Sequence, residues 1–178
     1  METSKKEVLA KILEIIIMIL YFALGIFTII CVGCKFEATR IFVGIVILLT
    51  SIPFLLCFLK EIKDKFPRYL FPILFVITIV VGFLCIFTEI DIGIILVLWG
   101  AVEIIRGAYE INHAFNVAES ISLKIAETIV GVLEIVFAIL LMFKQLGGIP
   151  GHLICIGITC IILGGQQLLS LIAENIKK

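Results

Sequence analysis

Six stretches of this chain, near residues 8–34, 39–59, 69–88, 91–112, 121–143 and 150–173, are each long and apolar enough to cross a lipid bilayer. A hydrocarbon core about 30 Å thick takes roughly 20 residues of helix at about 1.5 Å each, and connectors this short leave no room for a globular part outside it. With 62% of its 178 residues hydrophobic, the chain lies well above the roughly 45–50% apolar content of soluble domains. The expected architecture is a single all-α integral membrane domain over 1–178 with six transmembrane helices.

The 14 basic and 14 acidic residues cancel, so no net field draws nucleic acid or an acidic partner, and placement carries the information. One side of the bilayer collects Lys5, Lys6, Lys11, Lys60, Lys63, Lys65, Arg68, Arg106, Lys124, Lys177 and Lys178, the other only Lys35, Arg40 and Lys144. Translocation of basic loops is disfavoured, which predicts a multi-pass protein of the cell membrane with both termini cytoplasmic and the lipid bilayer as its partner. Lys5 and Lys6 before an apolar run, with Val32-Gly33-Cys34 after it, loosely resemble a cleaved lipoprotein signal. The uncharged run from Ile15 to Gly33 outlasts the roughly 7–15 residues of a signal core. It is read as a retained span.

The even-numbered stretches share a pattern that hydrophobicity alone does not require. Gly44-Ile45 is followed by Ser51, Gly93-Ile94 by Gly100 and Gly157-Ile158 by Gly164, a small residue seven positions after each first glycine. The odd stretches place Gly25, Gly82 and Ala138 in corresponding positions, with Glu14 and Glu127 eleven residues before the first and the last of these. Three tandem two-helix repeats follow, over about 8–59, 69–112 and 121–173. Lipid is as apolar as leucine and gives helices no hydrophobic reason to associate, so close backbone approach at small residues must supply the attraction. Gly44, Gly93, Gly100, Gly107, Gly157 and Gly164 are the expected helix-packing positions, and the same grooves suit homo-oligomerisation.

Three tandem two-helix repeats, a glycine near the start of each second helix, short loops and cytoplasmic ends resemble the HdeD-like family of small bacterial and archaeal membrane proteins. The resemblance covers nearly the whole chain. It implies a six-helix fold without catalytic signature and a role at the envelope under acid stress.

Ionisable residues inside the spans are the sharpest pointers to a site, because burying a charge in hydrocarbon costs several kcal/mol unless it is paired or hydrated. The fourth span carries Glu103, Arg106 and Glu110 on one stripe, with Trp99 a turn further along, and the fifth carries Glu127 and Glu134. Ser120, Glu127, Gly131, Glu134 and Ala138 share one face of the fifth span. Glu14, Arg106 and Glu127 lie at one depth and are expected to meet as a layer. Two uses of it compete. In one, Arg106 with Glu103, Glu110 or Glu127 is an ion-paired clasp that sets helix register. In the other, Glu127 and the deeper Glu134 move protons along a partly wet path, with Gln166 or Gln167 as hydrogen-bonding companions.

Secondary transporters typically bind at interrupted helices. Here Pro53 alone stands well inside a span, Pro72 is expected in the first turn of its helix, and Pro67 and Pro150 belong to connectors. Cys31 and Cys34 have the two-residue gap of dithiol enzymes and metal knuckles, but a second such pair is missing, so the six cysteines are read as apolar fillers and no metal or other cofactor is expected. His113 and His152 fall on opposite sides and are read as interfacial polar residues. No Ser-His-Asp set or phosphate-cradling glycine loop is present in the sequence. The chain reads as a non-enzymatic membrane protein of the envelope contributing to acid or stress tolerance, with a small proton-linked transporter or channel as the alternative.

Overall fold

The computed structural model describes the backbone of residues 2–33, 40–59, 65–116, 121–143 and 149–176, and side chains within 11–32, 40–55, 69–116, 121–143, 151–169 and 171–172. The described residues are helical throughout apart from short turns: α1 (Glu2–Gly33), α2 (Arg40–Thr50), α3 (Ile52–Leu59), α4 (Lys65–Phe87), α5 (Ile92–Asn116), α6 (Ile121–Met142) and α7 (Ile149–Ile176). Five of them, α1, α4, α5, α6 and α7, are long and apolar enough to span a membrane, and Arg40–Leu55 forms a shorter apolar segment. The apolar side chains face outward as well as inward. On α1, Ile12, Ile15, Ile16, Ile19 and Ile26 are exposed, while Glu14, Ile17, Tyr21, Gly25 and Thr28, spaced by three and four, are buried. Such inversion suits a multi-pass membrane protein, in which lipid solvates the outer face and polar groups turn inward.

The second apolar stretch is not one helix. Pro53 has no N–H, so the Leu49 carbonyl four residues earlier loses its intrahelical donor. The helix stops at Thr50, turns at Ser51 and resumes as α3. Tyr21 from α1 donates its hydroxyl to the freed Leu49 carbonyl at 2.8 Å, and Ser51 and Thr50 return theirs to the Leu48 and Ile47 carbonyls at 2.6 and 2.7 Å. The break is thereby satisfied inside the protein, as an apolar medium demands. Tyr21→Phe should cost about 1–2 kcal/mol, because it leaves that carbonyl without a donor. Thermal unfolding in detergent measures it, and a wild-type midpoint would dissociate Tyr21 from the break. The other proline expectations also shift: α4 begins at Lys65 and α7 at Ile149, so Pro72 lies inside α4 instead of in its first turn, while Pro67 and Pro150 stand in the first turns of α4 and α7 instead of in connectors, where a missing N–H costs no helical bond.

The tightest helix pairs are α1 with α7, α2 with α4, and α5 with α6. None of them is one of the expected sequential hairpins; each joins neighbouring ones, with the last hairpin closing back onto the first. All three cross at glycines in the same way. A Cβ on Gly25 would lie 2.6 Å from the Gly157 carbonyl oxygen, one on Gly44 3.0 Å from that of Gly82, and one on Gly107 2.8 Å from that of Gly131. The relation is mutual, since Gly157, Gly82 and Gly131 meet the carbonyls of Gly25, Gly44 and Gly107 at 2.9, 3.3 and 2.8 Å. Each glycine also receives the side chain four residues beyond its partner: Ile161, Ile29, Ile86, Leu48, Ile135 and Ile111. Gly100 faces the Ala138 carbonyl at 2.8 Å, and Gly164 faces the Phe22 ring at 3.1 Å. Gly93 stands in the first turn of α5, where its N–H donates to the Asp91 carboxylate at 2.7 Å.

Remaining contacts close the pairs into a ring in the order α1, α7, α6, α5, α4, α2. The Tyr21 hydrogen bond and the Phe27–Phe42 ring contact, 6.1 Å between centroids, join α1 to α2. Arg40 pins α2 to the end of α4 by donating to the Thr88 and Glu89 carbonyls at 2.6 and 3.2 Å. One half of the interior is an apolar core that includes Val46, Ile47, Val81, Leu96, Trp99 and Ile156. The other half holds the charges.

Candidate functional site

On α5, Trp99, Glu103, Arg106, Glu110 and His113 recur at intervals of four and three, which sets them on one stripe. The Gly107–Gly131 crossing brings α6 close against that stripe, so its acidic residues meet α5 at two levels.

The deeper level is a sealed ionic cluster. Glu103 and Glu134 are 0% exposed and Arg106 3%. Arg106 Nε lies 3.1 Å from Glu134 Oε1, and its Nη1 3.8 Å from Glu103 Oε2. Its Nη2 donates to Gln166 Oε1 on α7, and its guanidinium sits over the Phe54 ring of α3, 5.4 Å from the centroid. Trp99 Nε1 donates to Glu103 Oε1 at 2.8 Å, closing the cluster against the apolar half. The Glu103 and Glu134 carboxyls thus meet on the same guanidinium. Tyr21 and Glu110 lie within electrostatic range of Arg106. Four helices, α3, α5, α6 and α7, thus converge on one cation.

The outer level lies seven residues along α5, roughly 10 Å by helical rise. There His113 Nδ1 is 3.1 Å from Glu127 Oε2, with side-chain exposures of 34% and 12%. Glu110, half-buried, stands between the levels on the same stripe.

The expected layer of Glu14, Arg106 and Glu127 is therefore redrawn. Arg106 pairs with Glu134 and Glu103, whereas Glu127 pairs with His113, because the antiparallel register of α5 and α6 sets Glu134 and not Glu127 opposite Arg106. Glu14 is buried on α1, on the face that carries Tyr21. Gln166 is the companion on α7, while Gln167, one residue on, is half-buried. Tyr21, Phe54 and the His113–Glu127 pairing escape sequence reading, since one hydroxyl and one ring among many aromatics carry no local signal. The Pro53 position did mark the break that Tyr21 serves.

Cys31, Cys85, Cys155 and Cys160 are buried free thiols, and Cys85 donates to the Arg40 carbonyl at 3.4 Å. Cys34 and Ser120 lie outside the described residues. Among the described residues no three His, Cys, Asp or Glu side chains group as metal ligands. Comparison with protein-family profiles, with curated proteins and with solved structures gave no match.

Proposed function

We propose that this is a non-enzymatic integral membrane protein of the cell envelope that crosses the bilayer six times as three tandem two-helix repeats, with both termini cytoplasmic, and contributes to acid or stress tolerance. The observation that carries it is the sealed cluster of Arg106, Glu103, Glu134, Gln166 and Trp99, which locks helices around a centre closed to solute. The recurring reciprocal glycine crossings support the three repeats, with α2 and α3 together making the shortest crossing. The basic residues gathered on one side support the orientation. The acid-tolerance role follows the resemblance to the HdeD-like family.

Deleting the gene from its host should lower survival of an acid challenge at least about tenfold, and wild-type protein should restore it while Arg106→Gln should not, a loss expected of a broken buried ion pair. Equal survival with and without the gene would remove the tolerance role.

A second reading, proton-linked transport, is favoured by the interrupted helix. Phe54, one residue after Pro53, lies against Arg106, so the break borders the ionic centre as the interrupted helices of transporters border theirs. Proteoliposomes separate the two: pH-driven flux that vanishes in Glu134→Gln supports transport, and a lack of flux with wild-type protein leaves the ion-paired clasp.

A further inference from the structure

The centre holds more acid than base. Glu103 and Glu134 face a single guanidinium, and if all three were ionised the cluster would carry a net negative charge in surroundings that exclude water. Hydrogen-bonding capacity is out of balance in the same place. Glu103 Oε2 and both Glu134 carboxyl oxygens, and on the donor side Arg106 Nη1 and Gln166 Nε2, are buried with no hydrogen-bonding partner. Among the described residues no second cation at the site corrects the charge. From α1 comes the Tyr21 hydroxyl, with Glu14 buried further along the same face; α3 offers the Phe54 ring; α7 offers Gln166 and the Cys160 thiol. Glu110 adds a further acid on α5, and Glu127 on α6 is met by His113.

We propose that Glu103 and Glu134 form a carboxyl–carboxylate pair holding one exchangeable proton, loaded from the end of the bundle where His113 and Glu127 meet. A single proton between the two carboxyls removes the charge excess and gives one stranded oxygen a donor in the same step. The proton comes from water at the partly exposed His113–Glu127 end, passes to Glu110 and from it to the pair. One acid remains ionised beside Arg106, and hydroxide is left in the bulk. On the far side, Trp99 and the apolar core block any exit, so the site fills and empties through one end. Such a proton pair rests on the membrane-embedded bundle proposed above and is independent of its envelope role.

Infrared spectroscopy of the protein in phosphatidylcholine vesicles near neutral pH tests this directly. The wild type should show the carbonyl band of a protonated carboxyl, and both Glu103→Gln and Glu134→Gln should abolish it, since removing either acid lets the other ionise against Arg106. Deuterium exchange of that band should slow at least about tenfold in Glu110→Gln and in His113→Ala. Absence of the band from wild-type protein overturns the shared proton even if no variant folds, and so does its survival in both glutamine variants. Unchanged exchange in Glu110→Gln and His113→Ala overturns the route. A normal band beside unaffected acid survival would sink the envelope role alone.

Discussion

Arg106→Gln should lower the stability of the detergent-extracted protein by about 3–5 kcal/mol, the cost of leaving partner charges buried and unanswered. The loss is large because Arg106 touches three helices besides its own, through Glu134, Gln166 and Phe54. A second substitution identifies the partner. Adding Glu134→Gln should restore part of the loss, and adding Glu127→Gln should restore none, because Glu127 answers to His113. Rescue by Glu127→Gln but not by Glu134→Gln would contradict the register of α5 on α6. Thermal unfolding of the four proteins under one set of conditions is sufficient.

The helices themselves were legible because apolar runs of membrane length admit almost no other backbone. Their partners were less so. The seven-residue spacing marks Gly44, Gly100, Gly107 and Gly157 as close-approach positions, but the other half of every crossing is Gly25, Gly82 or Gly131 on a facing helix or, for Gly100, the Ala138 backbone, and spacing within one helix does not say which of them it meets. Sequence adjacency favoured hairpins, whereas the bundle pairs helices across them, and no local pattern separates those choices. Within the site, Glu103 and Arg106 share one helix, so their proximity follows from spacing alone. Which acid of α6 meets Arg106 depends on where two helices cross. That is set by the contact of Gly107, beside Arg106, with Gly131, three residues before Glu134, and a shift of one heptad exchanges Glu134 for Glu127.

Gly107→Ala should destabilise the bundle by about 1–3 kcal/mol, and Gly107→Leu should prevent assembly, since even one methyl group meets the Gly131 carbonyl at 2.8 Å and backbone cannot step aside. Gly165→Ala is the matched control. A Cβ there meets nothing within 4 Å, so this variant should unfold with the wild type or slightly above it, helped by the better helix propensity of alanine. Equal loss from both substitutions would mean that glycine acts here through backbone freedom and not through contact. Gly25→Ala and Gly44→Ala should rank beside Gly107→Ala if all three crossings bear comparable strain.

The embrace of α1 by α7 has a consequence for biogenesis. These helices are far apart in the chain, yet each supplies the surface against which the other is shaped. During synthesis, α1 must wait in the bilayer while every intervening helix is inserted. Until α7 arrives, the notch at Gly25 stands open to acyl chains, and Arg106 lacks the amide of Gln166. A nascent chain interrupted before that point carries a half-built ionic centre, with the α7 side of Arg106 unfilled.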